Sequence, residues 1–81
     1  MSIDELVPFT NGLSVSACGH TLVCDRARIT PVKGDAFDMA FWIAGTDYAP
    51  RLRLTRSRLA AFTPDKIARI VSQVVRRAVC G

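Results

Sequence analysis

Ala36-Phe37-Asp38-Met39-Ala40-Phe41-Trp42-Ile43-Ala44 is the stretch on which the fold turns. Phe37, Met39, Phe41 and Ile43 take every second place, and Asp38, Ala40, Trp42 and Ala44 take the places between. A period of two means a strand with one buried face. Lys33-Gly34-Asp35 before it and Gly45-Thr46-Asp47 after it supply turn residues, so the strand is bounded at both ends.

Outward from this strand the same pattern recurs. Downstream, Leu52 and Leu54 alternate with Arg51, Arg53 and Thr55, which predicts a strand with a basic outer face. Upstream, Leu13, Val15 and Ala17 alternate with Ser14 and Ser16. Thr21 to Cys24 is a further β-prone run, extendable through Ile29 to Val32, although Pro31 suits only an edge or a strand end. At the start of the chain, Ser2 followed by Glu5 has capping-box spacing, which predicts a short helix over Ile3 to Val7 that Pro8 ends, with Asn11-Gly12 as the turn into the first strand.

The period changes near the end of the chain. Ile67, Ile70, Val71, Val74, Val75, Ala78 and Val79 follow the spacing of one helical face. Thr63 is a good N-cap, Pro64 at the first helical position loses no hydrogen bond, and Asp65 complements the helix dipole. Phe62 and Ile67 have the spacing of a hydrophobic staple. Ser57 to Phe62 favours a short preceding helix. The expectation is one α+β domain over residues 1–81: an antiparallel sheet of three or four strands, a long amphipathic C-terminal helix packed on one face, and a short N-terminal helix. Phe37, Met39, Phe41 and Ile43 would face the long helix. Trp42 would then lie on the opposite face with Arg51 and Arg53, either open or covered by Ile3, Leu6, Val7 and Phe9 of the N-terminal segment.

With 81 residues, 49% apolar and 22% charged, the chain can close a core but has no room for a large multi-substrate enzyme. Its net charge of +4 is unevenly spread: residues 1–47 hold three bases and six acids, residues 48–81 eight bases and one acid. Such asymmetry points to an anionic partner. The most apolar stretch, Ala36 to Ala44, is broken by Asp38 and falls far short of the roughly 18 residues of a membrane span. The acidic, polar start Met1-Ser2-Ile3-Asp4-Glu5 does not resemble a secretory signal, and an odd number of cysteines argues for reduced thiols; both lead to a cytoplasmic expectation.

Chemistry offers little. Cys18, His20, Cys24 and Cys80 could supply a tetrahedral zinc, but the spacing lacks the close pairs such sites use, so no metal and no other cofactor is expected. Cys18 and Cys24 could also be cross-strand neighbours able to form a disulfide if the protein is exported. His20 is the one histidine that a nucleophilic Cys18 could use, with Asp25 or Asp38 to orient it, and nothing around them suggests an oxyanion hole. Asp35 and Asp38 flank a turn and are expected to be solvated. No enzymatic activity is expected.

Surfaces remain. The first expectation is a protein-binding adaptor or inhibitor, of the size of inhibitors carried by phages and other mobile elements, that presents Trp42, Tyr48, Arg51 and Arg53 to an acidic protein or to a second copy of itself. The alternative is nucleic-acid binding through phosphate contacts from Arg56, Arg58, Lys66, Arg69, Arg76 and Arg77.

Overall fold

The computed structural model describes every residue from Met1 to Gly81, in the order α1 (Ile3–Thr10), β1 (Ser14–Ala17), β2 (His20–Pro31), β3 (Ala36–Ile43), β4 (Arg51–Thr55), α2 (Arg56–Ala61) and α3 (Pro64–Cys80). The strands form one curled antiparallel sheet in sequence order, β1-β2-β3-β4. Every connection is local, so the topology follows from the turns. Cys18 and Gly19 both have positive φ, 52° and 79°, and make the two-residue turn between β1 and β2 that matches the twist of the paired strands.

The core lies on one side of this sheet. Phe37, Met39, Phe41 and Ile43 are fully buried against Ile67, Val71 and Val75 of α3, Leu59 of α2 and Leu6 of α1. The α+β arrangement expected from the alternation is present, with four strands of the three or four expected and α3 as the long amphipathic helix. Thr63 caps it by accepting from the Lys66 N–H at 3.3 Å.

Three details differ from the sequence expectation. First, α1 runs through Pro8 to Thr10. Proline at this point removes one hydrogen bond, to the carbonyl of solvent-exposed Asp4, and leaves the next turn intact, with the Asn11 N–H donating to the Val7 carbonyl at 3.0 Å. Second, β2 is one continuous strand interrupted by a bulge. Asp25 pairs with Trp42 and Arg28 with Ala40, so two residues, Arg26 and Ala27, stand opposite Phe41 alone. Arg26 takes φ 52°, and the Asn11 side chain holds the irregularity by accepting the Ala27 N–H at 2.8 Å.

Third, Cys18 and Cys80 form a disulfide that ties the β1–β2 turn to the last turn of α3, with Cα atoms 5.8 Å apart. The expectation of three reduced thiols is corrected for these two, as is the Cys18–Cys24 pairing. Spacing along the chain concealed the bridge, because its ends are 62 residues apart and meet only when α3 lies over β1. Asp35 is exposed and Asp38 partly so, in keeping with the expected solvation, and both also hold structural partners. Asp35 accepts from the Ser57 N–H and hydroxyl at 3.0 and 2.7 Å, securing the start of α2, and these bonds hold its carboxyl below the usual range. No helix is long and apolar enough to cross a membrane.

Candidate functional site: the uncovered face of the sheet

Residues directly opposite each other in an antiparallel pair project to the same side. Register therefore assembles the face away from the core. One row is Asp25–Trp42, the next Arg28–Ala40–Arg51, the next Thr30–Asp38–Arg53. All three helices contribute side chains to the one core, and α1 is on that side too, with Leu6 fully buried. The N-terminal segment does not fold across Trp42. No element covers this face.

Each side chain on it has a definite setting. Trp42 is half-buried, and the Arg26 guanidinium lies 5.1 Å from its ring centroid, within cation–π range. Arg26 also reaches Asp25 at 3.4 Å. Arg53 grips Asp38 in a bidentate pair, 2.8 Å from Nε to Oδ1 and 3.3 Å from Nη2 to Oδ2. That pair, with Arg51 nearby, holds the Asp38 carboxyl below the usual range and the Arg53 guanidinium above its own. Arg28 and Arg51 are exposed, and neither is in a salt bridge.

The bulge decides which arginines belong here. Strict alternation from buried Cys24 would turn Arg28 inward and Ile29 outward. The extra residue reverses that order, so Ala27 and Ile29 pack against the core and Arg28 faces out. Arg26 and Arg28 are thus site residues that the sequence reading missed. The signal available was charge: Arg28 in a core position would have been an unpaired buried cation.

Of the residues expected to bind a partner protein, Trp42, Arg51 and Arg53 come together on this face. Tyr48 is separate. The bonds from the Phe41 N–H to the Pro50 carbonyl and from the Ile43 N–H to the Tyr48 carbonyl carry the register onward, setting Tyr48 opposite core-facing Ile43 at the end of the hairpin, 48% exposed. The nucleic-acid set lies elsewhere. Arg56 and Arg58 are on α2, and Lys66, Arg69, Arg76 and Arg77 are exposed on α3, in the helix layer behind the sheet. Arg69 and Arg76 edge a shallow polar groove of about 340 Å³ with Ala68, Ser72 and Gln73. Arg76 is partly committed, since its Nε donates to the Ser16 carbonyl on the outer edge of β1 at 3.2 Å.

The four residues Cys18, His20, Cys24 and Cys80 are not assembled into a ligand set. Cys18 is bonded to Cys80, Cys24 is buried, and no group of three metal-ligating side chains occurs. Burial pushes the Cys24 thiol up to about 11, with Asp25 adding to the shift, so its thiolate is not accessible near neutrality. Cys18 and His20 do not make a nucleophile and base, because the Cys18 sulfur is in the bridge. The largest hollow, about 460 Å³ between α1 and β2, is lined by Ile3, Val7, Pro8 and Ile29 with one carboxylate, Asp4. It offers no converging polar groups. Compared with known proteins, the chain matches no family model, no curated protein and no solved structure.

Proposed function

We propose that the protein is a small non-enzymatic binding module, an adaptor or inhibitor, that docks an acidic partner protein through the uncovered face of its sheet. The observation that carries this reading is the placement of half-buried Trp42 among Arg26, Arg28, Arg51 and Arg53 on a face no helix covers. Trp and Arg are the side chains that most often dominate binding energy at protein interfaces. The interleaved carboxylates Asp25 and Asp38 favour a protein ligand over nucleic acid. They fix the arginine forks in place, and they would oppose a continuous run of phosphates.

Nucleic acid fits this face less well for a second reason. Base stacking needs an open aromatic face, and Arg26 already lies over the indole. The cations of the helix layer are on the other side of the sandwich, which divides the basic footprint. An inhibitor carried by a mobile element remains within this proposal, as does self-association through the same face. The Cys18–Cys80 bridge bears on the setting, because such a bond persists in oxidising compartments. The cytoplasmic expectation therefore loses the support it drew from the cysteines.

The test is a selection of peptides from a random display library on the immobilised protein, followed by Trp42→Ala and Arg69→Ala variants. Docking through the sheet face requires Trp42→Ala to weaken the selected peptides by about 2 kcal/mol or more and Arg69→Ala to leave them unchanged. Arg69 is the better helix probe, since Arg76 also touches β1. Loss on Arg69→Ala alone, with salt-sensitive oligonucleotide binding, would replace this reading with the nucleic-acid one.

A further inference from the structure

We propose that Arg28 and Arg51 form a carboxylate seat floored by Ala40, and that the seat takes one Asp or Glu side chain of an acidic partner protein. The inference rests on the docking reading above and names the chemistry at its centre.

Arg28 and Arg51 both stand opposite Ala40, one on each side. Directly opposite residues have Cβ atoms about 5 Å apart, so the two arginine stems rise about 10 Å from each other over a single methyl group. Along β3 the flanking residues on this face are larger, Asp38 at one end and Trp42 at the other. The result is a low point in the face walled by two cations, an acid and an aromatic ring.

The face arginines divide by partnership. Arg53 is held by both oxygens of Asp38, and Arg26 by Asp25 and the Trp42 ring. Arg28 and Arg51, the two beside Ala40, make no salt bridge. A carboxylate has two oxygens with about four acceptor positions, and a guanidinium presents its donors as a planar fork. One carboxylate between the two forks satisfies both. Charge complementarity thus selects an anion, and the surroundings select a single one: Asp38 beside the seat opposes a second negative charge, as a phosphate backbone would bring.

The experiment is a titration of the intact, oxidised protein with an acetylated, amidated hexaglutamate peptide, with hexaglutamine as the uncharged control and oligothymidylate as the non-protein anion. Binding is read from chemical shifts, and the backbone spectrum of each variant checks its fold. Hexaglutamate is expected to bind saturably and hexaglutamine not to. Arg28→Ala and Arg51→Ala should each weaken binding by about tenfold, the loss of one charge-assisted contact, while Arg69→Ala changes nothing. Ala40→Glu, which carries its own carboxylate into the seat, should abolish binding, and Ala40→Gln should weaken it less.

Absence of saturable hexaglutamate binding overturns the seat. If Trp42→Ala weakens binding and the Arg28 and Arg51 substitutions do not, the seat is wrong and the docking face stands. If only Arg69→Ala weakens it, both fail. Tighter binding of oligothymidylate with the same dependence on Arg28 and Arg51 overturns the acidic-protein occupant in favour of nucleic acid.

Discussion

β3 shows its two sides to different worlds. On one side Phe37, Met39, Phe41 and Ile43 are fully buried, and on the other Asp38, Ala40 and Trp42 keep part of their surface in water, although the same backbone carries both sets. The buried side is defined by volume, since close-packed side chains tolerate little change. The open side is defined by charge. Its two formal ion pairs, Arg26–Asp25 and Arg53–Asp38, are solvent-exposed and contribute little to stability by themselves. The contrast teaches that packing and surface charge are separable here, residue by residue, along a single strand.

The largest expected effect tests the buried side. Phe41→Ala should destabilise the fold by about 3–5 kcal/mol, a large part of what a domain of this size possesses. Trp42→Ala, its neighbour on the other side, should lose about 1 kcal/mol with the Arg26 contact. Equal urea midpoints for these two variants would erase the distinction between the faces.

The bridge comes second. In the chain-entropy account, closing a loop of 62 residues stabilises by about 4 kcal/mol, so reduction, or Cys18→Ser with Cys80→Ser, should lower the urea midpoint sharply. An unmoved midpoint in reductant would mean that α3 is held on β1 by packing alone. A smaller loss, about 1 kcal/mol, is expected for Asn11→Ala, which removes the acceptor for the Ala27 N–H at the bulge. The sharper readout is local: amide shifts at Arg26 and Arg28 should move while those of α3 stay fixed.

Acid gives the gentlest test. The carboxyls of Asp35 and Asp38 are held below the ordinary 3.8 by Ser57 and Arg53 respectively. Their contribution is therefore present above that ordinary value and is lost as the pH falls through their depressed folded values. Asp35→Asn and Asp38→Asn should each lower stability slightly at neutral pH, where the contribution is present, and flatten the shallow loss in that acid range, so that variant and parent converge at low pH. An acid profile identical in the variants would remove both groups from the account.

Much of this was legible in the sequence, and the reasons are local. β3 and α3 carry their own periodicity, two and 3.6, over long enough runs to fix which side chains enter the core. Trp42, Arg51 and Arg53 followed from that alternation. Arg26 and Arg28 did not, because one inserted residue reverses the alternation and no glycine marks the place where φ becomes positive. The Cys18–Cys80 pairing was hidden for a different reason: it joins two elements that meet only through tertiary packing, and the third cysteine, Cys24, made the count odd. Pro8 misled because the helix continues past it for less than one turn, closed by the Asn11 N–H to the Val7 carbonyl.

The bridge has a topological consequence. It closes everything from Cys18 to Cys80 into a covalent ring that contains all of β2, β3 and β4 and both later helices. A single protease cut in the exposed Gly45–Asp47 turn would therefore open the ring without dividing the molecule. The nicked protein would keep its mass but for one added water, and would separate into two pieces only on reduction.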